Sequence, residues 1–514
     1  MHVLFSVRNP SYVRHYDSVL RLLAARGHSV ELATEDRRNK SWPPSVLALA
    51  DAHPNLRLSR TPMPEHASWF ELATRLRQAR FYLRFLDPVY RGTPGLIART
   101  REKAPPLSVR LGESPIGRSA LGRRLLVGAI DALERATLTG RDYYGYLREM
   151  RPDIVVLTPL VVLKTAQIDL ARAAIERGVR HAFAVASWDH LSSKGELNLT
   201  PEHVIVWNEV QKDEAVRLHG VPADRVTVTG AQVFDEWFEK QPSSSRETFC
   251  ASVGLRADRP IVLYVCSALL EGSPPEPEFV LRWVRALRQS GHERLRECGI
   301  LIRPHFKRGE EWAAIDFSGL DNVVCWPPAG AVPVDAESRT GYFDSLHHAA
   351  AVVGLNTSAM IEGAILGQPV FTVLLPEFAA SQEGTVHFHY LLEGADALLR
   401  ASRSLPAHAE ELGRVLDGHD ADPDRSRRFV ARFVRPHAAD TSATARVVAA
   451  LEAIAAAPAP APVPPPAWTR LLRPLLRPFA DAALRRVQRL TEERQRHKAL
   501  LAAARRARKA EDRR

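Results

Sequence analysis

The stretch VVGLNTSAMIEGAILGQPVF, residues 352–371, decides the fold of this chain. Its apolar beginning is too short to cross a membrane and is typical of a buried strand. The hydroxyl-bearing turn NTS at 356–358 favours the start of a helix, because its side chains can satisfy the free N–H groups of a first turn. A glycine and a proline in LGQPV end that helix, and VFTVLL follows as the next strand.

This strand–turn–helix unit has two interpretations. The turn directs backbone N–H groups toward one point, which suits an anion such as a phosphate, and Glu362 is placed one turn later to accept hydrogen bonds from sugar hydroxyls. Alternatively, the turn only caps the helix and Glu362 only complements the helix dipole. The stretch taken alone favours the second interpretation, because caps are commoner than ligand sites.

The same alternation of strand and helix recurs along the chain. HVLFSV, VRHYDSVLRLLAARG and HSVELAT open it as a β-α-β unit, and PIVLYVCSA starts a second series after the polar segment EKQPSSSRET. The pattern predicts an α/β fold with two Rossmann-like parallel-sheet domains that face a cleft. We place the first domain at 1–240, with an Arg-rich helical elaboration at about 62–148, and the second at 241–456. A Pro/Ala linker at 457–467 and a basic helical tail at 468–514 follow.

Length and composition agree with two sizeable domains. The chain has 514 residues, of which 45% are hydrophobic and 25% charged, and these values are typical of a globular protein. No uncharged apolar run reaches about 18 residues, and MHVLFSV resembles no signal peptide. The four cysteines show no CxxC spacing, so we expect reduced thiols, no zinc or other metal site, and a cytoplasmic protein.

The positive charge is concentrated in the tail. The chain carries a net charge of +11, and residues 468–514 hold 15 Lys/Arg against 5 Asp/Glu, which leaves the body nearly neutral. We therefore expect no nucleic-acid partner. Apolar residues beside the linker favour contact with an anionic membrane surface, at the inner face of the membrane, over a solvated coiled coil or a disordered arm. Pro474 and Pro478 are expected to break the first turns of this helix.

Polar side chains follow several predicted strands, where parallel sheets place their ligands. In the second domain these are Ser267, Arg303 and His305. In the first domain the turn RNPSYVRH supplies Asn9, Arg14 and His15. The loop SWDHLSSK is the densest polar cluster and supplies Trp188, Asp189, His190 and Lys194. We expect this loop to contact a substrate, and the alternative for Asp189 is a helix cap. For His15 in the first turn, the alternative is a solvated histidine without a role in the site.

Three segments carry a resemblance to a known superfamily. RNPSYVRHYDSVLRLLAARGHSVELATED, VIVWNEVQKDEAVRLHGVPADRVTVTGAQVFD and ILIRPH…YFDSLHHAAAVVGLNTSAMIEGAILGQPVF resemble GT-B-type glycosyltransferases. The last is most similar to CDP-glycerol glycerophosphotransferase-like and UDP-N-acetylglucosamine 2-epimerase-like proteins. The resemblance implies that His305, Thr357, Ser358 and Glu362 contact a nucleotide diphosphate and its ribose.

The resemblance implies a transferase that moves a sugar or a polyol phosphate from a nucleotide-sugar or CDP-polyol donor. The acceptor would be a cell-surface polymer or a lipid-linked molecule, and no cofactor is expected. Ser267, Arg303 and His305 would stabilise the departing diphosphate. His15 is the first candidate for the base and Asp189 the second, with His190 beside it, while Asn9, Arg14, Trp188 and Lys194 lie on the acceptor side. A UDP-sugar 2-epimerase and a non-catalytic GT-B scaffold are the alternatives.

Overall fold

The chain folds around two parallel β-sheets, seen here in a computed structural model. The structure describes residues 1–35, 41–62, 64, 67–270, 272–305, 308–313, 315–317, 319–328, 336–437 and 441–511. One sheet lies in each half of the chain, and helices cover both faces of each. This arrangement confirms the predicted α/β fold.

The first sheet has seven strands in the order β3-β2-β1-β4-β5-β6-β7, all parallel. Their bounds are β1 His2–Val7, β2 Ser29–Thr34, β3 Leu56–Arg60, β4 Ile154–Thr158, β5 His181–Ala184, β6 His203–Val206 and β7 Val226–Val228. The central strands β1 and β4 are mostly apolar and are buried along nearly their whole length, because helices cover both of their faces.

The second sheet has six parallel strands in the order β10-β9-β8-β11-β12-β13. Their bounds are β8 Ile261–Val265, β9 Gly299–Arg303, β10 Val323–Cys325, β11 Ala351–Gly354, β12 Val370–Val373 and β13 Arg400–Ser402. In each sheet the strand order reverses once, between β1 and β4 and between β8 and β11. A reversal of this kind opens a crevice beyond the carboxyl ends of the strands.

Helices join and cover the strands. They are α1 Asp17–Ala25, α2 Pro44–Ala52, α3 Ala67–Phe85, α4 Pro94–Lys103, α5 Pro106–Glu113, α6 Pro115–Arg118, α7 Ala120–Ala136, α8 Arg141–Met150, α9 Gln167–Arg177, α10 Glu209–His219, α11 Asp235–Glu239, α12 Arg246–Val253, α13 Glu276–Arg288, α14 Glu293–Arg296, α15 Gly309–Ala313, α16 Ala336–His347, α17 Ala359–Ile365, α18 Val386–Leu392, α19 Leu405–Leu416, α20 Arg425–Phe433, α21 Ala443–Ala456 and α22 Trp468–Glu511.

The stretch at 352–371 forms β11, the turn, α17 and the start of β12 as the sequence predicts. Gly367 follows the helix with a φ of +78°. Residues with a side chain rarely adopt this conformation, so a glycine suits the position. The backbone N–H of Gln368 donates to the carbonyl of Gly363 and closes the helix end.

The helical elaboration between β3 and β4 consists of α3 to α8. Its longest helices, α3 and α7, pack together through Arg77, a fully buried residue whose Nε donates to Glu134 Oε1 at 2.7 Å. Asp169 on α9 lies 3.7 Å from the same guanidinium. A buried cation with two carboxylates around it joins the elaboration to the first sheet.

Helix α21 returns to the first domain, although the sequence boundaries counted it with the second. Its apolar residues Val447, Val448 and Leu451 join the core beside α1. Asp235 on α11 fixes the start of α21, because its carboxylate accepts the backbone N–H of Thr444 at 2.6 Å. The two domains are therefore joined twice along the chain.

The basic tail is one helix, α22, that continues through both prolines, so the predicted break is wrong. Each proline removes one backbone hydrogen bond, and the carbonyl groups concerned belong to exposed residues, where water can replace the lost donor. The helix packs on α3 and α7, with Ala480 against Trp69 and Leu72. The preceding linker contacts the first domain too, since the N–H of Val463 donates to the carbonyl of Ile175 at 3.1 Å.

Among the helices in the described part of the chain, none has the length and apolar content needed to cross a bilayer.

Candidate functional site

A cavity of about 370 Å³ lies in the cleft between the two domains, beyond the carboxyl ends of the strands. The first domain and α11 contribute Arg14, His15, Asp17, Ser18, Ser187, Trp188, Gln232, Glu236, Trp237 and Lys240 to its lining. The second contributes Cys266, Arg303, His305, Arg339, Tyr342, Thr357, Ser358 and Glu362. The cavity adjoins the strands at which the order of each sheet reverses. Segments far apart in the sequence meet there because parallel strands end at one edge.

Arg303 ends β9 and is the most unusual charged group in this lining. Its guanidinium lies 4.7 Å from the ring centre of Trp326 and 5.1 Å from that of Tyr342, so it is in contact with two aromatic rings. One nitrogen, Nη1, donates to the carbonyl of Gly341 at 3.4 Å. Burial lowers the pKa of Arg303 to about 10, so the group still carries its charge at pH 7.

No carboxylate pairs with Arg303 among the described residues, although the side chain is largely buried. A buried cation without a counter-charge is costly, and natural proteins rarely keep one without a partner. The guanidinium lines the cavity and can hold an anion through its remaining N–H groups. This part of the cavity is therefore suited to a phosphate.

Glu362 lies on α17 and also lines the cavity. Tyr342 donates its hydroxyl to Glu362 Oε2, which fixes the orientation of the carboxylate. Burial raises the pKa of Glu362, and the Tyr342 hydrogen bond and the Arg14 charge oppose that rise. Tyr342 therefore contacts two charged groups of this wall: it packs on Arg303 and donates a hydrogen bond to Glu362.

Ser358 does not cap α17 with its side chain, so this part of the capping interpretation fails. Its hydroxyl instead accepts the indole N–H of Trp188 from the other domain at 3.0 Å. Thr357, next to it, lines the cavity. The hydroxyl turn thus contributes to the cleft and to the contact between the domains.

Ser267 differs from the prediction that it meets a phosphate. It is fully buried, its N–H donates to the Glu276 carboxylate at 2.9 Å, and its hydroxyl accepts the N–H of Asn356 at 3.0 Å. The residue therefore supports the turn at 356–358 from behind, and its neighbour Cys266 lines the cavity instead. His305 lines the cavity as predicted from its strand end.

On the other wall, Arg14 and His15 lie at the end of a short 3-10 turn and line the cavity. His15 Nε2 lies 3.3 Å from Arg14 Nε, which donates to it, and His15 Nδ1 has no hydrogen-bond partner within the described part of the chain. Burial holds the pKa of His15 well below its usual range, and the charges of Arg14 and His190 act in the same direction. The imidazole is thus neutral at pH 7, the state that a general base requires.

Asn9, by contrast, has a local role. Its side-chain oxygen accepts the N–H of Ser11 at 3.1 Å, which caps the 3-10 turn that carries Arg14 and His15. It does not belong to the lining of the cavity. Asn9 therefore supports the turn that carries Arg14 and His15.

The loop after β5 places Ala186, Ser187 and Trp188 in the lining, whereas Asp189 and His190 are not lining residues. The largely buried Asp189 carboxylate lies 3.1 Å from Lys194 Nζ and accepts the Ser187 hydroxyl at 2.7 Å. Burial alone would raise the pKa of Asp189, but Lys194 and the neighbouring histidines hold it below its usual range. Burial lowers the pKa of His190 to about 4.

His387 on α18 is a member of this cluster that the sequence did not reveal. Its Nδ1 lies 2.9 Å from the Ser193 hydroxyl, and its ring packs edge-on against Trp188 with centroids 4.7 Å apart. Burial lowers the pKa of His387 to about 4. Tyr342, Trp326 and Trp237 were missed as well, since aromatic residues in helices and at strand ends are more often core residues. The signal that marks Trp326 and Tyr342 is their contact with Arg303, which only the fold reveals.

The comparisons with known proteins address the fold. No family model matches this chain, and no curated protein matches it. A structure of a putative UDP-N-acetylglucosamine 2-epimerase from Listeria monocytogenes is similar, with a TM-score of 0.50, 12% identity, and coverage of 88% of this chain and 96% of that one. A glycosyltransferase from Rickettsia africae has a TM-score of 0.49 and 10% identity, covering 89% of this chain and 99% of that one.

The similarity to the Listeria structure agrees with the two parallel sheets that face a cleft. The fold is therefore GT-B, as the resemblance of the sequence implied. In the described part of the chain, no group of three or more His, Cys, Asp or Glu side chains is arranged to hold a metal ion.

Proposed function

We propose that this protein is a GT-B transferase that moves a sugar or a polyol phosphate from a nucleotide-activated donor to an acceptor. The observation that carries the proposal is Arg303, a buried guanidinium that lines the cleft and has no carboxylate partner among the described residues. The diphosphate of a nucleotide donor supplies the missing counter-charge.

We assign donor binding to one wall of the cavity and the base to the other. On the second domain, Arg303, His305 and the turn at 356–358 hold the diphosphate, and Glu362 accepts hydrogen bonds from ribose hydroxyls. As the bond to the diphosphate breaks, negative charge grows on its oxygen, and the fixed charge of Arg303 stabilises that state. On the first domain, His15 accepts the proton of the acceptor hydroxyl at Nε2, which requires Arg14 to release that nitrogen when the substrate binds.

Asp189 supports this chemistry indirectly in our proposal. The carboxylate is not part of the lining and is engaged by Lys194 and Ser187, so it is less available to a substrate than His15. We assign it the task of holding Trp188 and the loop in place. The proposed acceptor is a lipid-linked molecule or a cell-surface polymer, processed in the cytoplasm at the inner face of the membrane.

The experiment is a thermal-shift panel of UDP-, GDP-, CDP- and dTDP-linked compounds. A UDP-linked sugar is tested first because the similar Listeria structure is that of a putative UDP-N-acetylglucosamine 2-epimerase. A ligand at a hundred times its Kd should stabilise the fold by about 2.7 kcal/mol. Failure of every nucleotide to stabilise the protein would favour the scaffold alternative.

The stabilising compound is then incubated with the protein in the absence of any acceptor. A transferase leaves the nucleotide sugar intact or releases its sugar slowly to water. Isomerised nucleotide sugar would instead identify an epimerase. Analysis of the products by ion-exchange chromatography separates these outcomes.

A further inference from the structure

A second surface of this protein has the chemistry of a binding site, and it lies in the helical elaboration, on α5 to α7. The linker and tail expose five large apolar side chains between residues 463 and 479, and the segment between residues 107 and 125 exposes five as well. They are Leu107, Leu111, Ile116, Leu121 and Leu125. Four of the five expose 60% or more of their surface. Exposed apolar residues are ordinary when scattered, but such a concentration indicates a contact surface.

The side chains point outward because glycines occupy the inner side of these helices. Gly112, Gly117 and Gly122 are buried. A Cβ at Gly117 would lie 2.2 Å from the carbonyl oxygen of Leu111, and one at Gly122 would lie 2.0 Å from that of Ile116. No side chain fits there, so the turns pack tightly on one another and on α3. The usual pattern, with leucine inside and small or polar residues outside, is inverted.

The local caps make the surface firm. Ser114 and Ser119 precede α6 and α7, and their hydroxyls accept the N–H groups of Gly117 at 3.3 Å and Gly122 at 3.0 Å. The leucines are thus presented on capped helices. This arrangement holds an apolar face toward the outside before any partner arrives.

The charges on this face have one sign. Arg110, Arg118 and Arg124 are exposed between the apolar residues. The segment 107–125 holds a single acidic residue, Glu113, which pairs with Arg101 at 2.7 Å. Exposed leucines interleaved with arginines complement the apolar interior and the anionic headgroups of a lipid bilayer.

We propose that residues 107–125, the insert face, rest on an anionic membrane surface. The tail helix α22 is attached to the same elaboration, since Arg473 Nε donates to the carbonyl of Ala136 at 3.2 Å. It exposes its own apolar side chains at Leu471, Leu475 and Phe479. The insert face is the principal contact, because its apolar groups are fixed by the packing of the glycines. The proposal does not depend on the proposed chemistry, since lipid binding is measured without nucleotide.

The test uses the full-length protein and sedimentation with vesicles of phosphatidylglycerol and phosphatidylcholine, compared with vesicles of phosphatidylcholine alone. The double variant Leu121→Ser/Leu125→Ser should lower the partition coefficient for the anionic vesicles by about tenfold or more. Leu47→Ser, an exposed leucine on α2 outside the insert face, is the matched control and should change nothing. Thermal melts of all variants confirm that they are folded.

The charge is tested separately with Arg118→Glu/Arg124→Glu, which should remove the preference for anionic vesicles and the sensitivity to salt. Three outcomes overturn the proposal. The first is wild-type protein that binds no vesicles, and the second is unchanged binding in the leucine variant with loss in Leu471→Ser/Leu475→Ser, which would assign the role to the tail. The third is a wild-type dimer that the leucine variant dissociates without any binding of lipid, which would make this face a contact between two copies.

Discussion

The two walls of the cleft handle their charges in opposite ways. Beside the first wall, the Asp189 carboxylate pairs with Lys194 and accepts a hydrogen bond from the Ser187 hydroxyl. On the second wall, Arg303 contacts two aromatic rings and has no carboxylate partner among the described residues. A buried charge with a partner in its own loop holds that loop in place. A buried charge without a protein partner is instead a candidate for binding an oppositely charged ligand. The partners of a polar residue therefore indicate its role better than its position in a strand-end loop does.

The largest effect on turnover is expected at His15, the proposed base. His15→Ala should lower the turnover rate by roughly 100-fold to 10,000-fold, the range for loss of a general base, while donor affinity stays nearly unchanged. Steady-state kinetics and a nucleotide titration measure the two quantities. If Asp189→Asn removes turnover and His15→Ala does not, the paired carboxylate is the base and the distinction between the walls fails.

The pH profile sharpens the assignment of this base. Because burial holds the pKa of His15 below its usual value of about 6.5, the neutral form persists into mildly acidic solution. The rate should fall only when the pH drops through the lowered pKa, so the acidic limb lies below pH 6.5. An acidic limb well above that value would belong to another group.

Glu362→Ala is expected to have the next largest effect. Loss of hydrogen bonds to a carboxylate should weaken nucleotide binding by roughly 10-fold to 100-fold. The melting temperature should change little, because the only described hydrogen-bond partner of this carboxylate is the Tyr342 hydroxyl. Glu377→Ala, a surface position in the same domain, is the control. Equal affinity in wild type and variant would limit Glu362 to complementing the dipole of α17.

The sequence predicts which residues line the cleft better than it predicts their contacts. The apolar runs that become β1, β9 and β11 predict which residues follow a strand, and so they predict that His15, Arg303 and Glu362 meet in one cleft. They do not predict the partners of those residues. The bond between Ser358 and Trp188 joins residues 170 positions apart, and the rings around Arg303 come from two separate elements. Such contacts depend on the tertiary packing.

The tail gives the same lesson. Its basic, amphipathic pattern was visible in the sequence, but its attachment to α3 and α7 was not, because Trp69 and Leu72 look like ordinary core residues of their own helix. For Ser267 the sequence pattern predicted a ligand contact, and the structure differs. Ser267 follows a strand, as ligand-binding residues often do. Its N–H donates to Glu276 and its hydroxyl accepts from Asn356, so both groups are bonded within the protein.

A smaller effect is expected at Asp189. Asp189→Asn should lower the free energy of unfolding at pH 7 by about 1–3 kcal/mol, because the charge-assisted bonds to Lys194 and Ser187 weaken. The pKa of Asp189 is lower in the folded state than in the unfolded chain, so its contribution is present above about pH 3.9 and is lost as the pH falls through the folded value. Urea unfolding at pH 7 and pH 3 measures this. The exposed Asp258→Asn is the control, and a difference between wild type and Asp189→Asn that persists undiminished at the lower pH would contradict the assignment.

The smallest effect concerns the contact between the walls. Trp188→Phe removes the indole N–H that Ser358 accepts and should cost about 0.5–1.5 kcal/mol of stability. A double-mutant cycle with Ser358→Ala isolates the pair. Fully additive effects of the two substitutions would show that this hydrogen bond does not couple the domains.

The most direct test compares two buried arginines of the second domain. Arg303 has no carboxylate partner among the described residues, whereas Arg400 on β13 pairs with Asp420 at 2.6 Å. Titration of Arg303→Met and Arg400→Met with the stabilising nucleotide, together with their thermal melts, separates binding from folding. We predict that Arg303→Met loses nucleotide affinity by roughly 10-fold to 100-fold and keeps or gains thermal stability. Arg400→Met should lose stability and keep its affinity. Undiminished nucleotide binding by a folded Arg303→Met would contradict the account.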